Sequence, residues 1–335
     1  MANGLRLRHG PSRSCRIAAK RASRALLDSS DLTILPLGTD HFECQRQGCE
    51  GVSHDHRCIG VFDSGIGGLT VVRELRRRLP SEDIVYFGDT ARVPYGIKST
   101  ETVTRFAREN CDFLARFDPK MIVVACNTAS AAALSELEGT FPIPLIGVVH
   151  PGAREAVLIS KGHTIAVIAT EATINWDAYR RAMRHYDPNV RVVQRPCPLF
   201  VPIAEEGRAA DDPIVMMLAR DYLEPLVRLD PKVLVMGCTH YPLLRSAIEA
   251  VVGEKVALVD SGEQTARQVV DRLTSQGALA NHAGGGNLIC YVSDNPQRFR
   301  EIGQRFLQQP IVDVTWISPE QFFEQHGTAG IAAHA

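Results

Sequence analysis

The sequence predicts an α/β protein made of two pseudo-symmetric, doubly wound parallel-sheet domains with the active site in the cleft between them. Three observations lead there. From Ile59 onward, short β-branched runs alternate with amphipathic stretches of helical period, the pattern of a parallel sheet covered on both faces. The whole series then occurs a second time. The repetition is also visible in letters: RFDPKMIVVACNTAS begins at Arg116, and RLDPKVLVMGCTHYP begins at Arg228, 112 residues later.

Taken in order, residues 59–62, 84–87, 121–125 and 143–149 read as strands, with helices expected over 67–79, 101–117 and 128–138. In the second series the strands are 165–168, 190–193, 233–236 and 256–259, with helices over 174–185, 213–228 and 242–252.

Residues 1–57 read differently and are expected to form an extension without regular structure. The first 27 residues carry seven Lys or Arg and no acid, a composition that also resembles an organelle transit peptide. Cys44, Cys49, His54, His56 and Cys58 are metal-ligand types, but their spacing is looser than that of zinc knuckles, and a solvated tail is the expectation. No metal is expected. No clustered His, Asp and Glu set appears in 59–335.

Composition excludes several classes. With 37 Lys+Arg against 38 Asp+Glu, the charge gives no reason to expect nucleic acid or an anionic membrane as partner. The longest strongly apolar uncharged runs hold 15 residues, short of the roughly 20 that span a bilayer. The chain is expected to be cytoplasmic, and its nine cysteines to be small buried residues or catalysts, not a disulfide framework.

The repeat has a chemical consequence. Ligands of open α/β sheets sit beyond the carboxyl ends of the strands, where both Cys126 and Cys238 fall. Two halves facing each other about a pseudo-two-fold axis would set the thiols on opposite sides of one cleft. One thiolate could then remove a proton from one face of a tetrahedral carbon while the other thiol delivers one to the opposite face of the planar carbanion, which is a stereochemical inversion. A free thiol titrates near about 8.5 and needs help to act as a base; Asp63 and His240 are placed to give it. Asp63 opens the loop Asp63-Ser64-Gly65-Ile66-Gly67-Gly68, whose glycines let amides approach an anion, although the spacing is neither a dinucleotide fingerprint nor a P-loop. The amides of Tyr95 and Gly96, the hydroxyls of Thr170 and Thr173, and the carboxylate of Glu205 complete a cleft suited to a small polar zwitterion. Lys120 and Lys232 precede their strands, away from any Schiff-base position.

The segments GVFDSGIGGLTVVREL, YFGDTARVPYGIKS, ACNTASAAAL, VMGCTHYPLL and VDSGEQTAR, in that order from Ile59 to Arg267, resemble the glutamate racemases of bacterial cell-wall synthesis. The resemblance implies cofactor-independent interconversion of L- and D-glutamate. It implies Cys126 as the base acting on D-glutamate and Cys238 as the base acting on L-glutamate. Asp63 would assist the first thiol and contact the ammonium, and Glu205 and His240 would assist the second. Ser64, Asn127, Thr128 and Thr239 would hold the amino and α-carboxylate groups, and Tyr95 and Gly96 the side-chain carboxylate. It further implies a homodimer, and a last segment that returns to the first domain. The expected domains are therefore 58–150 with 261–335, and 151–260. Ala169-Thr170 departs from the family's usual Gly-Thr, and His150 receives no role. Aspartate is the alternative substrate, and a non-catalytic amino-acid-binding module is the alternative of another class.

Overall fold

The computed structural model describes residues 54–323. β1 (Ile59–Asp63) is buried at all five positions, as a strand covered on both faces must be. It is followed by α1 (Leu69–Arg78), β2 (Ile84–Gly88), α2 (Thr100–Ala115), β3 (Met121–Val124), α3 (Asn127–Glu138) and β4 (Leu145–Gly147). The chain continues through α4 (Val149–Ser160), β5 (Ile165–Ala169), α5 (Glu171–Asn175), α6 (Ala178–Tyr186), β6 (Val192–Pro196), α7 (Phe200–Glu206) and α8 (Pro213–Val227). β7 (Val233–Gly237), α9 (Arg245–Val252), β8 (Ala257–Asp260), α10 (Ser261–Ser275), β9 (Leu288–Val292), α11 (Pro296–Leu307), β10 (Val314–Trp316) and α12 (Pro319–Phe323) complete it.

Among the described residues the strands form two sheets. The first has the order β10-β9-β2-β1-β3-β4 and the second β6-β5-β7-β8, with every pairing parallel. Removing β9 and β10 leaves the same order in both, so the repeat in letters is a repeat in topology. Register agrees as well: Ile59 lies opposite Met121 in the first sheet, and Ile165 opposite Val233 in the second. The backbone before the repeated strands is copied too. Asp118 and Asp230 adopt φ of 46° and 45°, and the amides of Lys120 and Lys232 donate to Cys58 and Thr164, residues that precede β1 and β5.

The last segment does not continue the second sheet. β9 pairs with β2 and covers its edge, and α10 crosses between α1 and α4. β2 is consequently buried throughout, whereas its counterpart β6 stays half-exposed.

Several boundaries differ from expectation. The fourth strand is three residues long, not seven, because Val149 already opens α4. Pro151 sits in the first turn of that helix, where its missing N–H has no intrahelical partner to lose. The helix expected over 174–185 is broken at Asp177, which takes a left-handed φ of 54° and accepts a hydrogen bond from Gln194 Nε2 at 2.6 Å. The strand expected over 190–193 lies at 192–196. α7 was not expected at all.

The extension meets the core earlier than expected. Residues 1–53, including Cys44 and Cys49, lie outside the described residues, but 54–58 are pinned. His54 Nδ1 bonds Leu279 O at 3.1 Å, the His56 ring meets that of His282 at a tilt of 57° with Nδ1 3.4 Å from Nε2, and Lys120 Nζ donates to Asp55 O at 2.7 Å. Among the described residues no three or more His, Cys, Asp or Glu form a group that could hold a metal ion, and no helix is long and apolar enough to cross a membrane.

Candidate active site

Cys126 follows β3 and caps the amino end of α3; Cys238 follows β7. Both are buried, and both lie just past the carboxyl ends of inner strands, β3 between β1 and β4 and β7 between β5 and β8. They are close enough that charge on Cys238 raises the proton affinity of Cys126. The two halves meet at the glycine loop after β1. Thr70 Oγ1 donates to Thr239 O at 3.0 Å, and a Cβ on Gly67 would lie 2.2 Å from Thr239 Oγ1 and 2.5 Å from the His240 ring. Gly67 is thus required for the approach of the second thiol's loop, a role its sequence position alone does not reveal.

Around the first thiol, Asp63 is fully buried, and its Oδ2 accepts from the Gly65 amide at 3.0 Å, with the amides of Ser64 and Gly68 close by. Burial raises its proton affinity against the opposing pull of His240 and those amides. Cys126 is pushed up to about 12, chiefly by burial and then by the Asp63 charge, against donation from the Ala129 amide and the Ser64 hydroxyl. Oδ1 of Asp63 and Nδ2 of Asn127 are buried without a protein partner. Such orphans are costly unless a ligand satisfies them. One is an acceptor and the other a donor, the pair that an ammonium and a carboxylate on the same carbon require. The amide of Asn127 is fixed by Tyr179, whose hydroxyl donates to Oδ1 at 2.7 Å.

The second thiol has different company. His240 Nδ1 lies 3.9 Å from Cys238 Sγ and 3.4 Å from Thr239 Oγ1, and Nε2 lies 3.1 Å from Glu205 Oε1. Burial lowers the proton affinity of His240, but its bonds to Cys238 and Glu205 outweigh this and lift it to about 10. Burial likewise opposes ionisation of Glu205, and the bond and charge of His240, then Arg298 and Arg305, hold it below the usual range. His240 is thus an imidazole of raised proton affinity that faces a sulfur on one side and a carboxylate on the other.

The loop bearing Tyr95 and Gly96 is held by a buried network. Asp89 is fully buried and receives Arg92 Nε at 2.7 Å and the Tyr95 hydroxyl. Asn110 Nδ2 donates to Tyr95 Oη at 3.2 Å. The side chain of Tyr95 is therefore an anchor. Gly96 packs on Thr170 so closely that a Cβ would come within 2.9 Å. Thr128, Thr170 and Thr173 form one hydroxyl cluster, with Thr128 and Thr170 oxygens 3.0 Å apart.

Cys126, Asp63, Ser64, Asn127, Cys238, Thr239, His240 and Glu205 fall in these two constellations, and Tyr95, Gly96, Thr128, Thr170 and Thr173 in the loop and its hydroxyl cluster. His150 does not: it lines a separate cavity of about 530 Å³ with Arg181, Tyr186 and Arg272, and neither cysteine contributes to it. Tyr179, Thr70 and the basic face of α11 were missed, because they act across the cleft and carry no local pattern.

The chain matches the family model for Asp/Glu/Hydantoin racemase over residues 59–269. It is 50% identical over 264 residues to the glutamate racemase of Geobacter metallireducens, covering 79% of this chain and 97% of that protein. The structure of the Thermus thermophilus glutamate racemase in complex with β-chloro-D-alanine superposes with a TM-score of 0.72 at 45% identity, over 80% of this chain and 99% of the other. That of the Francisella tularensis enzyme in complex with D-glutamate gives 0.73 at 40% identity, over 79% and 98%. Two buried thiols on repeated strand ends thus sit in a chain that belongs to the Asp/Glu/hydantoin racemase family.

Proposed function

We propose that this protein is a glutamate racemase that uses two cysteines and no cofactor, supplying D-glutamate for peptidoglycan. The carrying observation is the pair of orphaned polar atoms, Asp63 Oδ1 and Asn127 Nδ2, both buried on the Cys126 side, one at the end of β1 beside β3 and the other next to Cys126 in the chain. The substrate ammonium satisfies the first and the α-carboxylate the second, with Ser64, Thr128 and Thr239 beside them. The amides of Tyr95 and Gly96 take the side-chain carboxylate. The α-carbon then lies between the sulfurs.

From L-glutamate, the Cys238 thiolate removes the α-proton and becomes a thiol, while Cys126 gives its proton to the opposite face and becomes the thiolate. From D-glutamate the roles exchange, and no proton is gained or lost. Asp63 assists at Cys126, and His240 with Glu205 assists at Cys238. With no cofactor to spread the carbanion's charge, rigid placement and oriented donors must lower the barrier. The same reading makes the enzyme a cytoplasmic homodimer, with 58–150 plus 261–335 as one domain and 151–260 as the other; sedimentation equilibrium tests the dimer.

The test is proton NMR of the purified, reduced protein in D2O with L-glutamate, D-glutamate or L-aspartate and no added cofactor. Loss of the α-proton signal with appearance of the opposite enantiomer, for glutamate alone, is the expected result. Exchange with aspartate and not glutamate overturns the substrate, and exchange with none overturns the racemase reading.

A further inference from the structure

The relay formed by Glu205, His240 and Cys238 is closed by a helix anchored in the other sheet. α11 follows β9, which is bonded to β2, yet it reaches α7 and His240. Arg305 Nη1 donates to Glu206 O at 3.0 Å and Nη2 to Glu205 O at 2.5 Å. These are terminal carbonyls of α7, which have no partner within the helix. The chain leaves α7 at Gly207 with φ of 73°, and a Cβ there would lie 1.4 Å from Arg305 Nη1. The guanidinium fills the space that a side chain would take. Phe306, fully buried, meets the His240 ring edge-on with centroids 5.1 Å apart. Arg298 Nη2 stands 3.7 Å from Glu205 Oε2.

We propose that Arg305 is a positioning residue for racemisation: by clamping the carboxyl end of α7 it holds Glu205 on His240, so the proton relay of the second half is complete only when α11 of the first is docked against it. The inference rests on the racemase reading. Arg305 touches neither thiol, and its effect passes through Glu205. His240 is faced by Cys238, by Asp63 from the end of β1 and by Glu205 from α7, with Arg298 and Arg305 behind Glu205. A Glu205 freed from its clamp supports the imidazolium less, and His240 then surrenders its proton at lower pH.

The experiment measures kcat, KM and the pH profile of kcat/KM for Arg305→Ala, Arg305→Lys and Gly207→Ala beside the wild type, with thermal melts of each. For Arg305→Ala we expect kcat lower by ~10-fold, the scale of a small misplacement of a catalytic group, KM nearly unchanged, and the alkaline limb displaced to lower pH. Gly207→Ala expels the guanidinium from the opposite side and gives the same pattern. Arg305→Lys recovers part of both changes. A lowered melting temperature with the wild-type kcat and pH profile makes the contact merely structural and overturns the proposal. If Arg305→Ala does not fold, Gly207→Ala decides by the same criterion. Absence of racemisation in the wild type removes the function itself, a result distinct from active variants that all match wild type.

Discussion

The two halves share strand order, register and the backbone turn before each repeated strand, yet they surround their thiols differently. Position by position, Cys126 corresponds to Cys238, Asn127 to Thr239 and Thr128 to His240, while Asp63 corresponds to Ala169. Each half thus supplies a thiol, but at these matched positions the first has a buried carboxylate where the second has an alanine, and the second an imidazole where the first has a threonine. Cys126 is a thiol pushed up to about 12 next to a carboxyl group, and Cys238 faces an imidazole lifted to about 10. Duplication placed two identical atoms at matching strand ends. Divergence of their neighbours sets a buried carboxyl group beside one and an imidazole beside the other, an asymmetry that the proposed one-proton inversion would use.

The contrast extends beneath the site. Lys120 is fully buried, with Nζ 2.6 Å from Glu82 Oε2 and further bonds to Asp55 O and Ala278 O. Its counterpart Lys232 pairs only with the exposed Asp230. The first half carries the incoming chain and the returning C-terminal segment on this lysine, and the second half has neither to hold.

The strongest way to break the comparison is at the thiols. Cys126→Ser and Cys238→Ser are each expected to abolish racemisation, by more than ~10³-fold, since each removes a group that must exchange a proton in both directions. Either may be assayed with a substrate carrying a leaving group, where one-sided elimination survives; full racemase activity in either variant would show that the halves are not paired bases.

Next come the lysines. Lys120→Met strands the buried Glu82 charge and should cost about 3–5 kcal/mol in urea unfolding, whereas Lys232→Met should leave the midpoint unmoved because its pair is solvated. Equal effects would deny the structural asymmetry.

Asp63→Asn and His240→Asn should each lower kcat by roughly 100-fold. The enantiomers have equal free energy, so kcat/KM stays the same in both directions for every variant, and asymmetry must be sought in isotope effects. Asp63→Asn should enlarge the primary deuterium effect for D-glutamate and His240→Asn that for L-glutamate; the reverse order would exchange the two helpers.

The smallest effect is on stability against pH. His240 is raised from 6.5 to about 10, so the stability carried by its imidazolium is fully present below pH 6.5 and is lost as pH rises through about 10. Thermal melts across that window should show a decline that His240→Asn removes.

Much of this was legible before any coordinates. The Asp-Pro-Lys, strand and Cys sequence occurs twice because a parallel strand buried on both faces admits only a narrow, nearly continuous apolar pattern, and so a duplicated one remains recognisable. The thiols were legible for the same reason, since strand ends are where an open α/β sheet presents chemistry. The short fourth strand and the break at Asp177 were not, because Val148-Val149 and the run 174–185 have local propensities that Pro151 and a tertiary bond from Gln194 override.

What the sequence determined by itself was local and periodic: two copies of one α/β unit, a cysteine after the third strand of each, a glycine loop, and the polar residues beside them. What only the tertiary structure decided was company. That β9 covers β2, that Gly67 admits His240, that Tyr179 turns Asn127, and that Arg305 grips α7 are contacts between residues far apart in the chain. They carry no spacing rule, because a helix or strand fixes only its own neighbours, and a cleft is made by surfaces that meet only after the chain has folded.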